Sequence, residues 1–295
     1  MPPCASAIPQ QLRPSSVSPA HIARLAEHSL RLEVQTWPKP GLVSHVDAGS
    51  HSDMDADTLR RSAAALRPFF AELAEAGARG AAMPALRRIG LRAERAMFEV
   101  TDGVNTHRGA IFGLGLLCAA AGSRANDGVD RSLALGALVS RRWGRDILGG
   151  PRLPESHGEL AARRFGVGGA PWEAARGFPS VYRVGMPALR DASRWVPDDA
   201  EAARVHACFA LIAALEDTNL LHRGAAQGLR FAQAAAQSFL DQGSVARRDW
   251  RHRAEAVHLA FVERGLSPGG AADLLAMSLF AMQLEGQTET GAALP

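Results

Sequence analysis

A chain of 295 residues with 47% hydrophobic content can bury a large core, as one big domain or two modest ones. Its net charge of +3 rests on arginines scattered singly and in pairs, with no basic stripe interleaved with aromatics, which argues against nucleic-acid binding. Cys4, Cys118 and Cys208 lie far apart, the last two within apolar helical patterns, so they read as core thiols of a reducing compartment and exclude a disulfide frame or a zinc site. No apolar run reaches membrane-spanning length, and the Pro-, Ser- and Gln-rich start lacks the apolar region of a signal peptide, so a soluble cytoplasmic protein is expected.

From the N-terminus, residues 1–18 read as a disordered tail. Ser18-Pro19 is an N-cap with proline at the first helical position, opening a helix to about Thr36. Further helices are expected near 55–76, 84–101, 107–121, 129–142, 156–165, 198–217, 223–241, 244–264 and 268–284. The Gly- and Pro-rich stretch 143–197 is the expected irregular region and a candidate lid. Ala and Leu dominate, there is one Tyr, and no alternating runs are separated by hairpin turns. The expectation is an all-α fold: a single multi-helix bundle over 19–286 around a central polar cavity, followed by a flexible tail over 287–295.

Acidic residues end several apolar stripes. Ile22, Leu25, Ala26 and Leu30 lead to Glu33; Val205, Cys208, Phe209 and Ile212 lead to Glu216, with Asp217 next; Asp273 shares a face with Ala276, Met277 and Phe280. Core-facing carboxylates are costly unless paired or bonded, which points to a polar site between facing helices. Lys39 is the only lysine, held between prolines in Trp37-Pro38-Lys39-Pro40-Gly41, a compact point charge suited to phosphate. The loop behind it, Gly41 to Asp55, carries His45, Asp47, His51, Asp53 and Asp55, hard oxygen ligands that suit Mg²⁺ better than zinc. Asp55 has a second possible role as the N-cap of the next helix.

One octet occurs twice, HRGAIFGL at 107–114 and HRGAAQGL at 222–229, identical at six of eight positions. Asp102 and Asn105 precede the first copy, Asp217 and Asn219 the second. Each copy is expected to place an imidazole and a guanidinium where a Gly-rich helix begins and an anion is favoured. The plainer reading is a duplicated helical hairpin whose glycines allow close packing. A Walker loop, a dinucleotide fingerprint and a nucleophile elbow are absent.

Trp37-Pro38-Lys39-Pro40-Gly41-Leu42-Val43, residues Gly49 to Asp55, Gly103 to Phe112 and Glu216 to Gly224 together resemble the triphosphoribosyl-dephospho-CoA synthases. Gly177-Phe178-Pro179-Ser180-Val181 and Ser267 to Leu275 are similar to that family as well, and the likeness spans about residues 30 to 280. The wording Ser44-His45-Val46-Asp47 resembles the malonate decarboxylase branch more than the citrate lyase branch.

The resemblance implies an enzyme that converts ATP and 3′-dephospho-CoA into 2′-(5″-triphosphoribosyl)-3′-dephospho-CoA and adenine, the product serving a separate transferase that loads an acyl carrier protein. Such a site must grip phosphates without cleaving them, for which Lys39, Arg108 and Arg223 are candidates, with Asn105 and Asn219 orienting loops and phosphates. Glu33, Asp47 and Asp53 are the candidate Mg²⁺ ligands. Glu216 or Asp217 is the candidate base for the incoming hydroxyl, and His107 or His222 the candidate to protonate or hydrogen-bond the departing adenine. The rival readings are a metal-dependent nucleotide or ADP-ribose hydrolase and a non-catalytic helical scaffold.

Overall fold

The computed structural model describes residues 17–124, 129–130, 132–151 and 157–290. These form twelve α-helices and no strand. In chain order they are α1 (Pro19–Val34), α2 (Ala56–Ala78), α3 (Met83–Val100), α4 (Arg108–Ser123), α5 (Leu135–Leu148), α6 (His157–Phe165), α7 (Gly169–Ala175), α8 (Met186–Trp195), α9 (Ala200–Ala214), α10 (Thr218–Asp241), α11 (Trp250–Glu263) and α12 (Gly269–Thr290). A π-turn over Val181–Gly185 precedes α8, and a 3₁₀ turn over Ser244–Ala246 precedes α11. No helix among the described residues is long and apolar enough to cross a membrane.

Local chemistry explains where several helices begin. Ser18 accepts the His21 N–H at 3.3 Å with Pro19 inside the first turn, and Asp55 accepts the Thr58 N–H at 2.8 Å to start α2. α4 is apolar nearly all round and sits between α2, α12, α1 and α3. Its approach to α2 is set by glycine: a Cβ on Gly77 would overlap the Ala119 carbonyl, and one on Gly122 the Ala74 carbonyl. One apolar cluster runs from Ile22 on α1 to Leu284 on α12, with Cys118 and Cys208 buried in it as free thiols.

Several expectations need correction, among them the helices expected over 129–142 and 244–264, which run over Leu135–Leu148 and Trp250–Glu263. The helix expected over 198–217 stops at Ala214, because Asp217 starts a new helix at Thr218. Glu216 therefore lies between helices and is exposed, not at the end of a core stripe. The described residues of the stretch 143–197 are not irregular: they hold α6, α7, the π-turn and α8, and Trp143, Phe178, Val181 and Leu189 are core residues. Pro187, for one, stands in the first turn of α8. The last helix runs past its expected end near 284 to Thr290. The tails expected at the two ends fall mostly on residues 1–16 and 291–295, outside the described residues.

Candidate active site

The loop between α1 and α2 carries the lone lysine inward. Lys39 is fully buried, and its Nζ is ion-paired to the Glu33 carboxylate at the end of α1. A buried ammonium is tolerable only with such a partner. Burial pushes the Glu33 carboxyl up, against the pull of Lys39. The loop is braced by Asp47, which accepts the Trp37 indole N–H at 3.2 Å and the Gly49 N–H at 2.8 Å and lies 3.2 Å from His258 Nε2. His258 Nδ1–H in turn donates to the Lys39 carbonyl at 2.6 Å. Ser50 donates to the Leu266 carbonyl at 2.7 Å, and His51 Nε2 lies 2.9 Å from Ser267 Oγ, stitching the loop to the approach to α12.

The first octet begins at the N-terminus of α4, where His107 is the N-cap residue and only 4% exposed. Its Nδ1 lies 2.8 Å from the Ser62 hydroxyl on α2, and Thr106 Oγ1 donates to that hydroxyl at 2.7 Å. His107 Nε2 is buried and has no hydrogen-bond partner among the described residues. Burial and the Lys39 ammonium hold this imidazole down to about 4, so it is neutral at physiological pH. Asn105 Oδ1 accepts the Arg108 N–H at 3.3 Å. The Arg108 guanidinium turns toward α3, donating to Glu94 at 3.1 Å beside the Phe98 ring.

Asp217 joins two helices. It is 1% exposed, caps α10 through the Asn219 N–H at 2.7 Å, and accepts the Ala271 N–H of α12 at 3.0 Å. Gly270 permits that contact, since a Cβ there would come within 3.0 Å of Asp217 Oδ2. Asp273, on the first turns of α12, accepts the Ala110 N–H of α4, and a Cβ on Gly109 would overlap its Oδ2. Burial, with the nearby carboxyls of Glu33 and Asp217, raises Asp273 well above the usual carboxylate range. Burial also raises Asp217, against its backbone N–H bonds. Three helix starts, α4, α10 and α12, thus meet one buried charge cluster of Glu33, Lys39, His107, Asp217 and Asp273.

The second octet is placed otherwise. It lies inside α10 at a break, Ala225, whose φ of 48° and ψ of −159° are non-helical. His222 and Arg223 are exposed. Arg223 donates to the Ser50 carbonyl at 3.2 Å and the Gly265 carbonyl at 3.1 Å, so it clasps two loops. The amide of Asn219 packs on Gly269, within 2.9 Å of where a Cβ would be. Among the expected residues, then, Glu33, Lys39, His107 and Asp217 come together, Arg108 and Arg223 turn to Glu94 and to loop carbonyls, and Glu216 and His222 are exposed.

The expected Mg²⁺ ligands do not share a locus. Glu33 pairs with Lys39, Asp47 braces the loop, and Asp53, whose side chain is 57% exposed, pairs with His51. Among the described residues no three His, Cys, Asp or Glu side chains are placed to hold an ion. Sequence reading gave Asp273 no role, although its place at the end of an apolar stripe was visible. It missed Ser62, whose signal was a lone hydroxyl in the buried row Leu59, Ser62, Ala63, Leu66 of α2. In the Gly177-Phe178-Pro179-Ser180-Val181 motif, Phe178 and Val181 are core residues and Gly177 packs on Gly136.

The profile of the CitG family, ATP:dephospho-CoA triphosphoribosyl transferase, matches residues 19–291. A probable 2-(5''-triphosphoribosyl)-3'-dephosphocoenzyme-A synthase of Azotobacter vinelandii is 41% identical over 89% of this chain and 91% of that protein. Proteins of the same name from Albidiferax ferrireducens and Vibrio cholerae are 40% and 36% identical, over 90% and 94% of both chains respectively. The chain belongs to the triphosphoribosyl-dephospho-CoA synthase family of enzymes. No solved structure matches it at a significant level.

Proposed function

We propose that the chain transfers the triphosphoribosyl group of ATP to 3′-dephospho-CoA, releasing adenine. One observation carries this reading beyond family membership: four separated motif segments close on a single charged cluster, Lys39 on Glu33, Gly109 under Asp273, and Gly270 under Asp217. In the reaction a hydroxyl oxygen of dephospho-CoA bonds to ribose C1 of ATP, the bond from C1 to adenine breaks, and the hydroxyl proton is balanced by one delivered to adenine. The triphosphate is retained.

The cluster is the floor of the polar site expected between the helices. Lys39 and the starts of α4, α10 and α12 favour the polyanion there. Asp273, whose carboxyl is raised well above the usual carboxylate range by burial and by Glu33 and Asp217, is the acid for departing adenine, a part that His107 at about 4 cannot fill at neutral pH. Both Asp217 oxygens already take backbone N–H groups, so Glu216, exposed beside it, serves as the base. Among the described residues no preformed cage of protein ligands fits Mg²⁺, and the ion enters with the triphosphate, as this cation commonly does. The Ser44-His45-Val46-Asp47 wording supports service to malonate decarboxylase through a separate acyl carrier protein transferase, in the cytoplasm.

The test is direct. Protein supplied with ATP, Mg²⁺ and dephospho-CoA should release adenine one for one with dephospho-CoA consumed, and none without it. ADP or phosphate as the main product refutes the assignment; adenine release in water alone moves the chain to the hydrolases.

A further inference from the structure

His107 has one nitrogen satisfied and one left over. Ser62 is fully buried, its oxygen accepts the Thr106 hydroxyl proton at 2.7 Å, and its own proton then points to His107 Nδ1 at 2.8 Å. A ring nitrogen that accepts leaves the proton of a neutral imidazole on the other one. That other nitrogen, Nε2, is buried without a partner in the described structure. An unpaired buried donor is costly, and a site that will bind a ligand is where such a cost is tolerated.

We propose that Ser62, held by Thr106, is a positioning residue that fixes His107 as the Nε2–H tautomer, and that this N–H donates to an oxygen of the bound nucleotide. The inference rests on reading the cluster as the nucleotide site. The ammonium of Lys39 lies close enough to act on the imidazole electrically, so the two donors favour the same kind of acceptor, an anionic oxygen. His107 is thus a fixed hydrogen-bond donor and not a proton shuttle. Its depressed proton affinity agrees with that role, because a neutral ring keeps one N–H and cannot titrate near neutrality. The relay also explains why a hydroxyl stands in an otherwise apolar row of α2.

Two measurements on the intact chain decide it. Long-range proton–nitrogen NMR of protein labelled at histidine nitrogens, assigned by the loss of a signal in His107→Gln, should find protonated Nε2 and bare Nδ1 at neutral pH. Ser62→Ala or Thr106→Val should mix in the other tautomer and lower kcat roughly tenfold with little change in KM, the worth of one hydrogen bond, whereas Thr106→Ser keeps both properties. His107→Gln, which retains an N–H donor but no acid, should keep at least roughly tenfold more activity than His107→Leu, which should fall by roughly a hundredfold. A wild-type ring protonated on Nδ1, an unchanged ring in Ser62→Ala, or a Gln variant no better than Leu overturns the proposal. The spectrum is taken on the free protein, so it stands or falls even if adenine release itself is not found.

Discussion

The two His-Arg-Gly octets share six of eight residues and occupy different kinds of place. At 107–114 the histidine caps α4 in the buried cluster, and the glycine lets Asp273 sit against the helix start. At 222–229 the octet straddles a break in α10, its histidine is exposed, and its arginine clasps loop carbonyls. The helix start that matches the first octet is made not by the second octet but by Asp217, five residues before it. A repeated motif therefore gives repeated chemistry only when the repeat meets the same helix end.

The largest effect is expected on the side of the first octet. Lys39→Met leaves the Glu33 carboxyl buried without its cation and should cost about 3 kcal/mol or more in urea unfolding. Adding Glu33→Gln should restore part of that loss, in a non-additive pair. This departs from a lysine that only touches phosphate, whose removal would leave stability intact. An equal loss from Arg223→Ala would erase the contrast between the octets.

Acid sensitivity comes next. The folded value of His107, about 4, lies below its ordinary 6.5, so the unfolded chain binds more protons across that window and stability falls as pH drops through it. At roughly 1.4 kcal/mol per unit the full effect is about 3 kcal/mol. Glu33, Asp217 and Asp273 act in the opposite sense, since their raised folded values make the native state hold the extra protons and weaken it as pH rises above the ordinary carboxylate range. The difference between wild type and His107→Gln isolates the imidazole, and it should flatten the slope between pH 4 and 6.5.

The paired glycines give a sharper contrast in activity. A methyl on Gly109 would overlap the Asp273 carboxylate, while one on Gly224 meets only the end of the flexible Leu266 side chain. Gly109→Ala should lower kcat roughly a hundredfold by shifting the acid out of place, against a few-fold for Gly224→Ala. Similar losses at both would restore the octets to equal standing. Smallest of all, Arg108→Ala removes a half-exposed pair with Glu94 and should cost under about 1 kcal/mol, with turnover little changed.

Much of this was legible in the sequence. The 3.6-residue spacing and the caps at Ser18 and Asp55 marked the helices, and the stripe ending in Glu33 marked a buried acid. What was hidden depended on where one helix stops and the next starts. Glu216 continued the apolar row of α9 on paper, but the capping carboxylate of Asp217 ended that row three residues sooner. The octets looked equivalent because identity of side chains carries no information about the break at Ala225, a position set by how α10 packs. Ser62 and Asp273 act through partners more than forty residues away in the chain, a distance that periodicity does not span.

The central claim is that the nucleotide lies at the cluster where the first octet, Lys39, Asp217 and Asp273 meet. A crystal structure with ATP and dephospho-CoA, in a variant slowed by Asp273→Asn, tests it most directly. The account predicts the ATP ribose beside residue 273, with His107 Nε2 within hydrogen-bond reach of the nucleotide and His222 outside it. A nucleotide bound instead in the arginine-lined groove of about 640 Å³ between α2 and α3, among Arg79, Arg88, Arg92 and Arg95, would contradict it.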